Sequence, residues 1–235
     1  PSRPDNLLLT ADYSQIELRI LAHVSGDPVL IKAFREGEDI HTRTASEIFG
    51  VPLEEVTREM RSRAKAVNFG IIYGLSDFGL ARDIKVDRQT ARRYIENYFA
   101  RYAGVKSYID RVIREARSRG YVTTLLNRRR YLPDLFSPNR IVRNAAERTA
   151  MNTPIQGSAA DIIKLAMVSI HRELAEHGLK AKMILQVHDE LIFDAPENEI
   201  EQLQELVKRC MENALVLDVP LIVEIKTGKN WYDAK

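Results

Sequence analysis

The stretch LQVHDELIF, residues 185–193, places three consecutive ionisable side chains inside an otherwise apolar segment. Adjacent residues of a strand face opposite sides of a sheet, so His188, Asp189 and Glu190 cannot all lie on one polar face. The conflict disappears if the chain turns here, because polar side chains at the tip of a hairpin leave the core. We therefore predict a β-hairpin whose tip is formed by His188 and Asp189. A turn that serves only solubility is the alternative interpretation.

Apolar patterns that predict strands occur at both ends of the chain. Near the N-terminus, residues 7–11 predict a short buried strand that ends at Asp12. In the last third, the patterns predict three strands and one helix, at residues 181–187, 190–195, 220–227 and 197–215. Between the two ends, the sequence predicts helices, a small basic hairpin and further helices, at residues 28–120, 121–132 and 139–177. We infer an α+β fold in which an antiparallel sheet, split in sequence, carries an inserted helical domain.

The composition of the 235-residue chain is ordinary for a soluble globular protein, with 45% hydrophobic and 29% charged residues. The single cysteine, Cys210, is expected to be a small buried hydrophobe, and it has no partner for an internal disulfide. No apolar run is long enough to span a membrane, so we expect a cytoplasmic protein without a membrane partner.

The net charge of +2 hides a strongly basic region, because residues 101–150 contain twelve Lys or Arg and only four acids. This region indicates a surface that binds a polyanion. A solvated, Arg-rich helix face explains the charge equally well when no other observation is considered.

Two carboxylates are predicted to meet at one edge of the sheet. Asp12 and Asp189 each follow an apolar strand, and like charges held together are costly unless they bind a cation or share a proton. Carboxylates without a dense His or Cys cluster suit a hard cation such as Mg2+. We expect two Mg2+ ions, the arrangement that supports displacement at phosphorus, with Mn2+ as a substitute.

The segment RSRAKAVNFGIIYG, residues 61–74, has an unusual helical stripe. Four side chains spaced four residues apart lie along one helix face: Arg61, Lys65, Phe69 and Tyr73. Because this face changes from cationic to aromatic, it suits a ligand with an anionic end and a flat end, a nucleoside triphosphate. A helix whose two ends lie in different environments is the alternative interpretation.

Two further groups of polar residues have both a structural and a functional interpretation. Ser14 and Glu17 fit the helix-capping pattern S-x-x-E, so another role for Glu17 needs independent support. The second group is again spaced four residues apart and consists of Arg148, Asn152 and Gln156. These side-chain types bind hydrogen-bond acceptors in the grooves of nucleic acids. Alternatively, they brace a helix break at Pro154 and Gly157.

Three long motifs occur in order along the chain: DYSQIELR at residues 12–19, RSRAKAVNFGIIYG at 61–74 and QVHDE at 186–190. Together with NTPIQGSAAD at residues 152–161 and the closing GKNWYDAK, they resemble the A family of DNA polymerases, the bacterial DNA polymerase I type. The resemblance covers essentially the whole chain. It implies a palm sheet at residues 1–37 and 139–235 and helical fingers at residues 38–138. The family's thumb and exonuclease domains are absent from this chain, and a thumb is expected upstream in the full-length protein.

The resemblance assigns catalytic and metal-binding roles to individual residues. It implies that Asp12, Asp189 and the backbone carbonyl of Tyr13 bind the Mg2+ ions. Glu190 is a nearby, lesser carboxylate, and Lys65 stabilises charge during the transfer.

The resemblance also assigns residues to the incoming dNTP and to the primer-template DNA. The residues implied for the nucleotide are Arg61, Lys65, Phe69, Tyr73, His41, Glu17 and Gln15. The two cations and the histidine hold the triphosphate, the two rings lie against the nucleotide and beside the templating position, and Glu17 disfavours a 2′-hydroxyl. The residues implied for the primer terminus and the minor groove are Arg148, Asn152, Gln156 and His188.

The function implied is template-directed DNA synthesis in replication and repair, by a monomer that transfers a nucleotide from a dNTP to a primer 3′-hydroxyl. A palm and fingers fragment that binds nucleotide or primer-template without efficient turnover is the alternative. A phosphohydrolase that uses His188 and Asp189 lacks further metal ligands nearby, and Glu17 and Phe69 favour deoxynucleotides over an RNA polymerase reaction.

Overall fold

The computed structural model describes residues 1–234, and the chain divides into two compact units. The first unit combines Pro1–Ile16 with the chain from Ala159 onward, and the second unit is Glu17–Ser158. The bounds of these units differ from those of the predicted domains. The units are groups of residues that contact one another in space, whereas the predicted domain bounds were implied by the family resemblance. The palm and fingers bounds therefore stay a prediction.

Strands and helices both occur in the described residues, which confirms the predicted mixed fold. The strands are β1 (Asn6–Tyr13), β2 (Tyr121–Thr123), β3 (Arg129–Tyr131), β4 (Lys182–Val187), β5 (Glu190–Pro196) and β6 (Val223–Gly228). The α-helices are α1 (Ile16–Ser25), α2 (Pro28–Arg35), α3 (Ile40–Phe49), α4 (Arg58–Ile72), α5 (Asp77–Asp83), α6 (Arg88–Arg101), α7 (Ala103–Arg119), α8 (Arg140–Glu176) and α9 (Ile200–Glu212). Short 3-10 turns lie at Leu53–Glu55, Pro133–Phe136 and Glu197–Glu199.

The first unit is built on one antiparallel sheet with the strand order β4-β5-β1-β6. The N-terminal strand therefore pairs with two strands from the last third of the chain, as predicted for a sheet split in sequence. Helix α9 contacts β1 and β6, and its buried residues follow the three- and four-residue spacing of one helix face. Cys210 belongs to this face and is 6% exposed, as expected for a small buried hydrophobe.

The second unit is mainly helical, and five of its helices, α2 to α6, begin at side chains that accept backbone N–H groups. These N-cap residues are Asp27, Asp39, Thr57, Ser76 and Asp87. Because the first N–H groups of a helix have no partner within the helix, each cap fixes where its helix starts. The predicted basic hairpin is confirmed as the pair β2 and β3. No helix in residues 1–234 is long and apolar enough to cross a bilayer.

The hairpin that the sequence predicted at His188 and Asp189 is present. Strand β4 ends at Val187 and β5 starts at Glu190, so these two residues form the turn. His188 has φ of 55°, in the left-handed region that a two-residue hairpin turn uses. A residue other than glycine adopts this backbone conformation only at some energetic cost. The Gln186 side chain donates to the carbonyl of His188 at 3.1 Å and supports this conformation.

The capping box predicted from Ser14 and Glu17 is wrong in its reciprocal half. Helix α1 begins at Ile16, so the residue before it is Gln15, which has φ of 55°. The backbone N–H of Ser14 donates to the carbonyl of Ile222 at 2.8 Å. That N–H group therefore extends the sheet, and it does not receive the Glu17 side chain as a capping box requires.

The helix break predicted at Pro154 is also wrong. Helix α8 runs continuously through this residue. The Ser158 hydroxyl donates to the carbonyl of Pro154 and accepts the backbone N–H of Leu125, which ties the basic hairpin to this turn of the helix. Gly157 allows the close approach, because a Cβ there would lie 2.6 Å from Cγ2 of Thr124.

Candidate active site

Asp12 lies in a row of carboxylates that crosses three neighbouring strands. Asp12 lies directly opposite Glu190 on β5 and directly opposite Glu224 on β6. Directly opposite residues of antiparallel strands present their side chains on the same face. Like charges in such positions destabilise a sheet, so the row marks a place where a cation would be favourable.

The hairpin tip is joined to the end of β1 by the backbone. The N–H of Tyr13 donates to the carbonyl of Asp189 at 3.2 Å, one residue beyond the pairing of Asp12 with Glu190. The sequence assigned the metal to Asp189 and only a supporting place to Glu190. The register brings both acids to the end of the strand that carries Asp12, and Glu190 is the one directly opposite.

The sequence reasoning missed two residues of this region, Glu224 and Trp231. Glu224 follows from the register of β6, which no local pattern reveals. The indole Nε1 of Trp231 donates to a carboxylate oxygen of Glu190 at 3.3 Å. The closing GKNWYDAK motif was a signal that this segment matters, but not that it contacts Glu190.

The donor chemistry of this region suits Mg2+. The candidate ligands are the carboxylates of Asp12 and Asp189 and the carbonyl of Tyr13, all of them oxygen atoms. Across residues 1–234, no three His, Cys, Asp or Glu side chains are grouped so as to hold a metal ion by themselves.

In the second unit, the cationic end of the predicted stripe is held by Asp39. Nε of Arg61 donates to Oδ2 of Asp39 at 2.7 Å. The other oxygen of Asp39 accepts the backbone N–H groups of His41 and Thr42 at the start of α3. Burial raises the pKa of Asp39, but the hydrogen bonds from Arg61 and the two N–H groups outweigh it and leave the pKa below its ordinary value.

Lys65 lies one helical turn after Arg61 on α4 and is exposed. Lys65 makes no ion pair with the described residues of the chain, whereas Arg61 is already paired. The stripe therefore presents one ammonium group to solvent beside a guanidinium whose position is fixed.

The aromatic end of the stripe forms a row of three rings. The ring centroids of His41 and Phe69 are 6.0 Å apart, and those of Phe69 and Tyr73 are 6.1 Å apart with an interplanar angle of 24°. The Tyr73 hydroxyl donates to the Glu17 carboxylate at 3.2 Å. The structure thus brings together five residues that the sequence assigned to the nucleotide from separate segments of the chain: Glu17, His41, Lys65, Phe69 and Tyr73.

His41 is 3% exposed and its Nδ1 lies 3.0 Å from Nδ2 of Asn68. Burial lowers the pKa of His41 from 6.5 to about 4, with Arg61 and Lys65 acting in the same direction and Asp39 opposing them. The imidazole is therefore neutral near pH 7. Asn68 is a residue that the sequence reasoning missed.

The residues on α8 that the sequence assigned to a nucleic-acid groove also contact the end of α4. Nδ2 of Asn152 donates to the carbonyl of Ile72, in the orientation of the amide that satisfies both of its atoms. Gly74 has φ of 64°, and a Cβ there would lie 3.0 Å from Cγ of Arg148. Asn152 therefore has a structural contact in addition to its predicted one, while Gln156 is exposed.

The remaining predicted site residues lie in the first unit. Gln15 is half-buried with a left-handed backbone, and His188 is exposed at the hairpin tip. Their assigned contacts, with nucleotide and with primer, stay predictions.

Comparison with known proteins places this geometry in a family. The chain matches the family model for DNA polymerase family A over residues 1–233. The chain belongs to DNA polymerase family A. This membership confirms the resemblance that the sequence motifs carried.

Relatives in the family are identical to this chain at more than half of the aligned positions. It is 60% identical over 235 residues to DNA polymerase I of Geobacillus stearothermophilus, covering 100% of this chain and 27% of that protein. It is 59% identical over 230 residues to DNA polymerase I of Caldicellulosiruptor bescii, covering 98% of this chain and 27% of that protein. The chain thus spans about a quarter of the length of these family A relatives.

A solved structure has the same fold. It is the POL domain of Pol1 from M. smegmatis in complex with DNA primer-template and dNTP, with a TM-score of 0.96 and 50% sequence identity. The match covers 99% of this chain and 41% of that one. The described residues therefore have a mixed helix and sheet fold that is similar to part of a DNA polymerase I polymerase domain.

Proposed function

We propose that this chain carries the catalytic centre of a template-directed DNA polymerase, which transfers a nucleotide from a dNTP to a primer 3′-hydroxyl. The observation that carries the proposal is the pairing of Asp12 on β1 with Glu190 on β5. The backbone N–H of Tyr13, the residue after Asp12, donates to the carbonyl of Asp189 at the hairpin tip. In a member of DNA polymerase family A, this arrangement supports a metal-binding edge on the palm sheet. The palm is assigned to residues 1–37 and 139–235, and the fingers to residues 38–138.

The metal ions are assigned to the oxygen ligands at this edge. Asp12, Asp189 and the carbonyl of Tyr13 would hold two Mg2+ ions, and Mn2+ would replace them. When bound, the ions supply positive charge that lowers the pKa of the primer hydroxyl and neutralises the triphosphate. Glu190, anchored by Trp231, keeps negative charge next to Asp12 and so favours occupancy of the edge by cations.

The helical unit supplies the residues for the nucleotide. Lys65 and Arg61 would bind the triphosphate oxygens and stabilise charge on the departing pyrophosphate. The rings of Phe69 and Tyr73 would pack beside the sugar and the base. The hydrogen bond from Tyr73 holds the Glu17 carboxylate, which would leave no room for a 2′-hydroxyl. Gln15 is assigned to the same nucleotide.

The partner proposed for the basic residues is primer-template DNA. Arg148, Asn152 and Gln156 lie along one face of α8 and would contact the minor groove of the nascent pair, with His188 at the primer end. We expect a monomer to perform this reaction.

The proposal is tested by primer extension with Mg2+ and four dNTPs, using this chain and its Asp189→Ala variant. We expect distributive extension by the parent and none by the variant, while both bind primer-template with the same affinity in fluorescence anisotropy. Glu205→Ala, an exposed acid on the outer face of α9, is the matched control and should extend like the parent. Extension that survives Asp189→Ala would refute the metal assignment.

A second candidate function is binding of nucleotide or primer-template without efficient turnover. This chain spans 27% of the length of these relatives, so the activity of the chain alone is what the experiment measures. Under this alternative, the parent chain binds the primer-template in the anisotropy experiment but adds no nucleotide.

A further inference from the structure

Four polar groups form a buried line inside the helical unit and end at His41. The Tyr102 hydroxyl lies 3.4 Å from the hydroxyl of Thr44, which donates to Oδ1 of Asn68 at 3.1 Å. Nδ2 of Asn68 lies 3.0 Å from Nδ1 of His41. The first three residues are 0% exposed and His41 is 3% exposed. We call these four residues the Tyr102 relay.

The hydrogen atoms available in the Tyr102 relay fix its direction. An amide nitrogen can only donate and an amide oxygen can only accept, so Nδ1 of His41 accepts from Asn68 and carries no proton. The single hydroxyl hydrogen of Thr44 is directed to Asn68, so Tyr102 must be the donor to Thr44. Each group thus donates toward His41, and the proton of the neutral imidazole lies on Nε2.

Turning the Asn68 amide around breaks this arrangement. Its Nδ2 would then donate to Thr44, and Nδ1 of His41 would have to donate to Oδ1. The hydroxyls of Thr44 and Tyr102 could then donate only to each other, because their contacts in the described residues include no further acceptor. One of the two buried hydroxyl hydrogens would therefore have no partner. Because an unpaired buried polar group is costly, the first orientation is favoured.

We propose that Asn68 is a positioning residue, which holds His41 as the neutral Nε2–H tautomer so that it gives the triphosphate a hydrogen-bond donor and not a third positive charge. The inference rests on the proposed function for the identity of that ligand. The tautomer itself follows from the Tyr102 relay and needs no ligand.

The charged groups around His41 explain why a neutral donor suits this place. Arg61 and Lys65 on α4 and Asp39 at the start of α3 are the ionisable groups that act on it. Two of them are cations, so an imidazolium would add repulsion in the absence of nucleotide. Burial lowers the pKa of His41 to about 4, which is consistent with a neutral ring throughout the physiological range.

The tautomer is tested by nitrogen NMR of the 235-residue chain labelled with 15N-histidine. Two-bond proton–nitrogen spectra distinguish the two neutral tautomers and the imidazolium, and the His41→Gln variant identifies the signals of His41. We expect the Nε2–H pattern, unchanged between pH 8 and pH 5.5. An Nδ1–H pattern or an imidazolium at neutral pH would overturn the inference, and this measurement does not require any Asn68 variant to fold.

Asn68→Asp tests the positioning role in the presence of ligand. The introduced carboxylate can only accept, so Nδ1 of His41 must become protonated and the Nε2–H pattern must disappear. The dissociation constant for a dNTP with primer-template and Mg2+ should then change by roughly tenfold between pH 8 and pH 6 in the variant, beyond any change in the parent. Asn97→Asp is the matched control, because that amide donates to the carbonyl of Ile48 outside the Tyr102 relay, and it should leave the His41 signals unchanged.

The two measurements separate the inference from the function on which it rests. If the tautomer changes in Asn68→Asp but dNTP binding shows no added pH dependence, His41 does not contact the triphosphate and that part of the proposed function fails. If the Nε2–H pattern persists in Asn68→Asp, Asn68 does not set the tautomer and the inference fails.

Discussion

The row of carboxylates on the sheet, here called the carboxylate edge, and the cationic and aromatic stripe of α4 position their side chains by different means. At the edge, Asp12, Glu190 and Glu224 come from strands paired through backbone hydrogen bonds, and the hairpin tip is tied by Tyr13. On α4, Asp39 holds Arg61, and the ring of Phe69 lies beside those of His41 and Tyr73, so these assigned side chains are positioned by other side chains. The edge is therefore set by strand register, and the face of α4 by the identity of its neighbours.

This difference predicts how each region responds to substitution. A backbone-defined site keeps its geometry when one side chain is removed, so the loss reports the chemistry of that group alone. In a site defined by side-chain contacts, one substitution removes a chemical group and also disturbs the position of its neighbours. The free-energy effects of substitutions at neighbouring residues should therefore be non-additive there.

The largest effect is expected at the carboxylate edge. Asp12→Ala should reduce single-nucleotide addition by a factor on the order of 10³ or more, because it removes a ligand of ions worth several kcal/mol to the transition state. The thermal midpoint should not fall, since like charges directly opposite each other are removed. Single-turnover kinetics and calorimetry measure the two quantities.

Glu224→Gln is the comparison that sharpens this prediction. Glu224 is equally placed opposite Asp12 but has no metal assignment, so its rate loss should stay below about tenfold. Equal losses in Asp12→Ala and Glu224→Gln would contradict the assignment of the metal to Asp12.

An intermediate effect is expected on α4. Lys65→Ala should lower kcat/KM for the dNTP by a factor on the order of 10², because it removes a charged group that stabilises the departing pyrophosphate. Primer-template affinity should be unchanged. Arg63→Ala is the matched control, since Arg63 pairs with Glu59 on the same helix, at 2.7 Å, and has no assigned ligand. Kinetics that do not distinguish Lys65→Ala from Arg63→Ala would remove Lys65 from the triphosphate site.

The smallest effect is expected where α4 ends. Gly74→Ala should destabilise the chain by roughly 2 kcal/mol, because a left-handed residue acquires a Cβ that presses on Arg148 and Met151. Gly26→Ala has nearly the same φ, 62°, but its Cβ meets nothing within 4 Å, so it should cost only about 1 kcal/mol. Urea unfolding measures both. Equal midpoints for the two variants would show that α8 does not press on this turn.

The sequence was sufficient to predict the main elements of the fold and the hairpin of β4 and β5, but not the register of the long-range strand pairs. Alternation and apolar runs located β1, β4 and β5, because these patterns are local. The register that sets Glu224 opposite Asp12 depends on residues more than two hundred positions apart, and no local pattern carries it. The reciprocal half of the capping box failed for the same reason, since the N–H of Ser14 donates to a carbonyl that is distant in the sequence.

The candidate site was predicted to a similar extent. The four-residue spacing found the ligand face of α4, because one helix determines it. It did not find Asn68, which falls outside the four-residue spacing and is recognisable only by its contacts with α3. It also did not find Trp231, which reaches Glu190 through the folding of the C-terminal segment.

Trp231 is the only tryptophan in the 235-residue chain, and its indole N–H is bonded to Glu190. Indole emission depends on the polarity and hydrogen bonding around the ring, and no second tryptophan contributes to the signal. The protein therefore contains an intrinsic fluorophore attached to the carboxylate edge. Changes in charge or solvation at Glu190 can be followed optically in the unlabelled chain, without a turnover assay.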